Sequence, residues 1–160
     1  MAEKRGQEPF AGTALQGAAH KRFLTPFLRE VLALYAEMDA ALAEPQQLCR
    51  ACGSCCDFGT HGEILYASKL EREVLELAKR PPAPAGPADR EALVCPYRVG
   101  KKCSAREFRP IGCRTYFCRG QGRESGMALY EQYRARLAEI SRRAGLPWDY
   151  RRVIKALREG

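Results

Sequence analysis

The stretch Leu48-Cys49-Arg50-Ala51-Cys52-Gly53-Ser54-Cys55-Cys56-Asp57-Phe58-Gly59-Thr60-His61-Gly62 decides how this chain is read. It is too rich in cysteine and glycine to be a helix interior. A spacing of two residues between Cys49, Cys52 and Cys55 lets tight turns bring successive sulfurs to one side. Gly53 supplies the positive φ that such turns need. Cys55 and Cys56 are adjacent, so their side chains are expected to diverge, either into different centres or with one left as a free thiol. Asp57 is expected to bond local backbone donors. His61 reads as an exposed loop histidine rather than an added ligand or proton shuttle.

A second group follows at Cys95, Cys103, Cys113 and Cys118. The chain thus carries eight cysteines, four on each side of the Pro/Gly/Ala loop PPAPAGPAD at 81–89. Nothing in the sequence points to export, and in a reducing compartment clustered thiols are metal ligands or redox groups more often than disulfides. Three thiols spaced by two are the ligand run of bacterial-type ferredoxins, whereas zinc sites more often use isolated Cys-x2-Cys pairs. Cys95-Pro96 is similar to the Cys-Pro that ends such ferredoxin runs. The expectation is an iron–sulfur cluster or zinc or iron ions, in one or two sites. At least one site should draw ligands from both groups, because otherwise little would pin the halves together.

Charge is distributed to match. The chain carries +8 overall, but residues 98–160 hold 16 basic and 6 acidic side chains. From Arg98 to Arg119 only Glu107 opposes Arg98, Lys101, Lys102, Arg106, Arg109, Arg114 and Arg119. Four thiolates around Zn²⁺ or a [4Fe-4S]²⁺ core leave a net negative site, and nearby cations offset that charge. Arg109 and Arg114 are placed to bond carbonyls, cluster sulfur or an anion, with the structural role assigned to Arg109. Tyr116 and Phe117 are expected to shield the site from water. A basic face for nucleic acid is the lesser reading, since no groove-reading motif accompanies the run.

Helices surround these two segments. Residues 1–20 lack periodicity and read as a flexible N-terminal tail holding His20, which leaves 21–160 as one domain. Thr25 reads as an N-cap with Pro26 at the first helical position. Leu28, Val31, Leu32, Tyr35, Met38 and Leu42 then form a core stripe that Pro45 terminates. Ser68-Lys69-Leu70-Glu71 is a capping box opening a helix with Leu70, Val74, Leu75 and Ala78 inward, ending before Pro81. Residues 91–120 read as short turns, with a helical turn around Ser104–Phe108. Residues 124–143 read as a helix with Met127, Tyr130, Tyr133 and Leu137 on one face, and Gly145 stops it. Leu146-Pro147-Trp148-Asp149 reads as the start of a short last helix with Val153, Ile154 and Leu157 inward. The fold class is therefore mainly α: a small single domain whose helices pack around irregular cysteine-rich metal-binding loops. No apolar run nears the ~20 residues of a membrane span, and a cytoplasmic location is expected. Walker, G-x-G-x-x-G, H-E-x-x-H and G-x-S-x-G motifs are absent.

Cys49, Cys52, Cys55-Cys56, Cys95-Pro96, Cys103, Arg109-Pro110-Ile111-Gly112-Cys113-Arg114 and Cys118 together resemble the bacterial zinc- or iron-chelating CxxCxxCC proteins, the YkgJ-type cysteine-cluster family, over roughly residues 49–119. The resemblance implies metal chelation by all eight cysteines, with zinc and iron both open and no reaction specified. A related cysteine segment in flagellin lysine N-methylases implies an alternative, an iron-dependent enzyme or redox partner in protein side-chain modification. A zinc-dependent nucleic-acid module is a further alternative, and an unidentified protein partner fits either.

Overall fold

The computed structural model describes residues 13–42, 53–61, 65–78, 94–116 and 123–153. The protein is mainly α. Helix α1 spans Thr13–Leu42, and a 3-10 turn at Ser54–Cys56 leads into the one-turn α2, Phe58–His61. Strand β1 (Tyr66–Ser68) runs directly into α3 (Lys69–Leu75). A small hairpin, β2 (Arg98–Val99) and β3 (Lys102–Cys103), precedes a 3-10 turn at Arg106–Phe108 and α4 (Ile111–Thr115). Helix α5 covers Arg123–Arg143, and β4 (Tyr150–Arg152) pairs antiparallel with β1. No described helix is long and apolar enough to cross a membrane.

Helix α1 starts well before the expected cap. Thr25 lies inside it and returns its hydroxyl to Lys21 O at 2.9 Å, a back-bond rather than an N-cap. Pro26 is likewise internal. A proline costs an interior helical hydrogen bond, and here the burial of residues on both sides of it outweighs that loss, because Leu24 is as fully buried as Val31. The expected tail is thus helical from Thr13, while its first twelve residues and Pro45 lie outside the described residues. The loop 81–89 does so too.

The main core forms where α1 meets α3, α4 and α5. Leu28, Val31, Leu34, Tyr35 and Met38 pack with Leu70, Val74, Ile111, Tyr133, Leu137 and Ile140. Met127, expected on this face, is exposed. Gly145 ends α5 with φ 64°. Its N–H donates to Arg142 O at 3.1 Å and the N–H of Leu146 to Ser141 O at 3.0 Å, the paired bonds of a Schellman end. Leu146 then packs on the core.

The short last helix expected from Leu146 is instead an extended segment. Trp148 and Tyr150 share one face at strand period and stack at 5.4 Å between ring centroids; Tyr66 of β1 continues the stack at 5.7 Å from Tyr150. Aromatic pairs across a two-stranded ladder favour the strand over an isolated helical turn. Arg72 of α3 locks the approach, donating to Asp149 Oδ2 at 2.7 Å and to Asp149 O at 3.2 Å. The N–H of Val153 donates to Leu65 O at 2.8 Å, which buries Val153 in a second, smaller core with Ala67, Leu75, Tyr97 and Ala105. Cys95 and Cys103 pack against that second core. Ile154 and Leu157 lie outside the described residues.

Candidate functional site

Three backbone features bring the cysteine segments together. Gly53 adopts φ 69°, and a Cβ there would lie 2.7 Å from the carbonyl oxygen of Lys101. Only glycine lets the first segment press so closely against the β2–β3 turn. The N–H of Cys56 then closes the 3-10 turn on Gly53 O at 3.0 Å, and Cys56 O accepts from the N–H of Cys95 at 2.8 Å. An antiparallel bridge between Asp57 and Val94 continues this contact. Asp57 also pairs with Arg98 at 3.3 Å, so its carboxylate reaches across segments rather than only to local donors.

Cys55, Cys56, Cys95, Cys103 and Cys113 line a single cavity of about 40 Å³. All five are free thiols. Cys55 and Cys56 do not diverge as adjacent residues of a strand would, since a 3-10 turn rotates successive side chains by only a third of a turn. Cys56 is the hub, within hydrogen-bond reach of Cys55, Cys95 and Cys103. Apart from Arg109, the remaining walls are apolar, with Phe58, Leu65, Leu75, Tyr97 and Val153 among them. Tyr116, expected as a shield, is half-buried elsewhere and does not line the cavity, while Phe117 lies outside the described residues. Cys49, Cys52, Cys118 and Arg119 lie outside them as well, as do the side chains of His20 and His61.

The electrostatics of the pocket follow from crowding sulfur into a small apolar space. Hydrogen bonding from Cys56 brings the thiol of Cys55 or that of Cys103 down to about 6, with the Arg109 charge acting in the same direction on either. Cys95 is lowered by the same donor, and Cys56 is raised because it gives the proton. Burial pushes Cys113 up. A thiol has a single S–H, however, so Cys56 can serve only one neighbour at a time. The other sulfurs must keep their protons or share a cation. Soft, convergent sulfurs in a largely apolar cavity suit zinc, iron ions or an iron–sulfur core by donor chemistry. Among the described residues, no three Cys, His, Asp or Glu side chains already stand in a metal-ligating arrangement.

In the Arg-Pro-Ile-Gly-Cys-Arg segment the structural role expected of Arg109 falls to Arg114. Arg114 is the structural residue. Its Nε donates to Arg109 O at 2.8 Å and its NH2 to Glu107 O at 2.6 Å, while its NH1 bonds Asp39 of α1. The guanidinium also lies 4.2 Å over the Tyr35 ring. Arg109 instead lines the cysteine cavity. Among the described residues its buried Nε has no hydrogen-bond partner.

One residue behind the site was only half visible in sequence. Glu71 completes the expected capping box, with Oε2 accepting from the Ser68 N–H at 2.7 Å and from the Ser68 hydroxyl at 3.0 Å. Its other oxygen accepts from the N–H of Ile111 at 2.9 Å. Pro110, the N-cap of α4, has no side-chain cap to offer, so a carboxylate from α3 supplies one across 40 positions of sequence. That bond fixes the start of the helix carrying Cys113. Burial pushes the carboxyl of Glu71 upward, and the hydroxyl of Tyr35 lies beside it.

No family model, curated protein or solved structure matches this chain.

Proposed function

We propose that this chain is a cytoplasmic metal-binding protein that chelates zinc, iron or an iron–sulfur cluster through its cysteines. The observation that carries the reading is the meeting of Cys55 and Cys56 with Cys95, Cys103 and Cys113 around one cavity. Thiols separated by up to 58 positions of sequence gather there, and crowding five of them with a single hub donor leaves more sulfur than the protons of one thiol can bridge. A metal cation resolves that crowding by taking thiolates as ligands. Cys49, Cys52 and Cys118 complete the set of eight expected from the resemblance to the CxxCxxCC chelating proteins. Bound metal would supply folding free energy, since the cavity joins two segments that the helical core does not otherwise tie together.

Metal and acid-labile sulfide content, with a visible spectrum, on protein purified without oxygen tests the reading. Stoichiometric iron with matching sulfide supports a cluster and opens the redox-partner and enzyme alternatives. Stoichiometric zinc on a colourless protein supports a structural or recognition module. Protein that carries no metal, takes up neither zinc nor iron when reduced, and melts identically with and without chelator overturns chelation altogether.

A further inference from the structure

We infer that Arg109 is the charge-compensating donor of the cysteine centre, giving its Nε–H to a sulfur or sulfur-bound group in the cavity. This rests on the metal-centre reading above. Three independent features of the chain converge on it. Arg109 lines the same cavity as Cys55, Cys56, Cys95, Cys103 and Cys113, and its charge acts on Cys55, Cys103 and Cys113. Its Nε is one of two buried side-chain N or O atoms without a hydrogen-bond partner among the described residues. An unpaired buried guanidinium N–H is costly, so a native chain keeps one where a partner arrives on loading.

The second feature is how firmly the residue is placed. Preceding a proline restricts a residue to extended backbone, and Arg109 sits at φ −66° and ψ 142°. Its carbonyl is held by the Arg114 Nε at 2.8 Å, and Arg114 is itself buried and anchored on α1 through Asp39. The stem of Arg109 is therefore fixed from both sides while its head finds no acceptor at Nε among the described residues.

The third feature is charge. The wall carries five thiols and Arg109 as its only basic residue among the described lining positions. A thiolate-ligated metal centre carries net negative charge that apolar walls cannot offset, and outer donors to ligand sulfur tune both its affinity and its electronic structure. Arg114 takes the carbonyl-bonding role in this segment, which leaves Arg109 for the sulfur.

The test uses cobalt(II) as the probe on the full chain, reduced and free of oxygen. Competition against a chelator gives affinity, and the thiolate-to-cobalt charge-transfer band reports on the sulfur. Arg109→Gln is expected to weaken cobalt binding 10- to 100-fold, the usual cost of losing an outer-shell partner, and to move the band. Arg109→Lys keeps the charge but not the planar fork; it is expected to recover part of the affinity while the band stays displaced. Lys21→Gln, an exposed cation of α1 that does not line the cavity, controls for bulk charge and is expected to change neither. Wild-type affinity and an unmoved band in both Arg109 variants would overturn the inference and leave the metal centre standing. Failure of the wild-type chain to bind cobalt would instead overturn the metal centre. If neither variant folds, Arg109 is a structural residue and the inference is likewise overturned.

Discussion

Replacing Glu71 by glutamine changes one atom at the junction of two helices, and the geometry gives the cost. The carboxylate is fully buried and accepts on both oxygens: Ser68 N–H at 2.7 Å on one side, Ile111 N–H at 2.9 Å on the other. An amide has only one oxygen. If that oxygen stays on Ser68, the amide nitrogen faces the Ile111 N–H, donor against donor. If it turns to Ile111, the Ser68 N–H loses its acceptor and only the Ser68 hydroxyl can adapt. Either way one buried N–H is orphaned, at about 1–3 kcal/mol, and the surviving bond loses its charge assistance. Relief of the burial penalty that pushes the Glu71 carboxyl up returns part of this. A net loss of about 2 kcal/mol is expected for Glu71→Gln. Glu71→Ala, which orphans both N–H groups and opens a cavity, should lose about 4 kcal/mol. Denaturant unfolding at matched metal content measures the loss. Amide hydrogen exchange at Ile111 reads its location, because that N–H should exchange faster while amides in mid-α5 follow only the global change. Stability within about 0.5 kcal/mol of wild type, with Ile111 exchange unchanged, would refute the shared-cap account.

Gly53→Ala is expected to destabilise the cysteine junction, since it combines left-handed backbone with a Cβ 2.7 Å from Lys101 O; a cost of about 1–3 kcal/mol and weaker metal uptake would register it, and unchanged uptake would argue against the close approach. Arg114→Lys removes the paired carbonyl bonds but keeps a cation near Asp39, so it should lose roughly 1–3 kcal/mol, measurable as a lowered unfolding midpoint. Whichever of Cys55 and Cys103 accepts the single S–H of Cys56 is held near 6 against an ordinary value of 9.0, and it sets a pH dependence for the metal-free protein. The folded state binds fewer protons than the unfolded one between those values. The contribution of that one thiol is full above pH 9.0, shrinks on acidification and is lost as pH falls through about 6. Alkylation of metal-free protein should likewise begin near pH 6 rather than 9.0, and a profile rising only near the ordinary thiol value would contradict the shift. On the chelation reading, removing metal with a chelator should loosen residues 53–61 and leave α4 and the α1–α5 packing largely intact, visible as exchange protection lost in the first region alone.

Local signals were legible in the sequence, and long-range ones were not. The Ser68–Glu71 capping box, the Gly145 stop, the α5 span and the burial of Leu28, Val31, Tyr35 and Met38 all follow from patterns contained within a few turns. Pro26 misled because Thr-Pro is a normal helix start, and nothing local reveals that Leu24 is buried on the preceding turn. The β4 strand was hidden for a related reason: Leu-Pro-Trp-Asp opens a helix by composition, while its partner β1 lies more than eighty positions earlier. The alternation of Trp148 and Tyr150 was the available sign. The second bond of Glu71 carried no sequence signal at all, because it depends on a helix forty positions away whose own cap residue is proline.

Those same long-range contacts explain how a cavity of sulfur sits beside an ordinary helical core. The helices α1, α3 and α5 need no metal to bury their faces against each other. The cysteine segments lie on the second core, whose buried members among the described residues are Ala67, Leu75, Ala78, Tyr97, Ala105 and Val153, with two cysteines packed on it. Three polar anchors carry order from the first core to the second: Glu71 onto Ile111, Arg114 onto the carbonyls of Glu107 and Arg109, and Arg72 onto Asp149. Two of the three fix the segment bearing Arg109 and Cys113. The helical core thus acts as a scaffold that sets one wall of the cavity, against which the 3-10 turn of Cys55 and Cys56 is brought by Gly53 and the Cys56–Cys95 backbone bond. Order on that wall comes from hydrogen bonds already made. The Cys55–Cys56 side is held by the Cys56–Cys95 backbone bond, the Asp57–Val94 bridge and the Asp57–Arg98 pair rather than by side chains of the helical core, so on the chelation reading the conformational response to metal falls there rather than on the helix that carries Cys113.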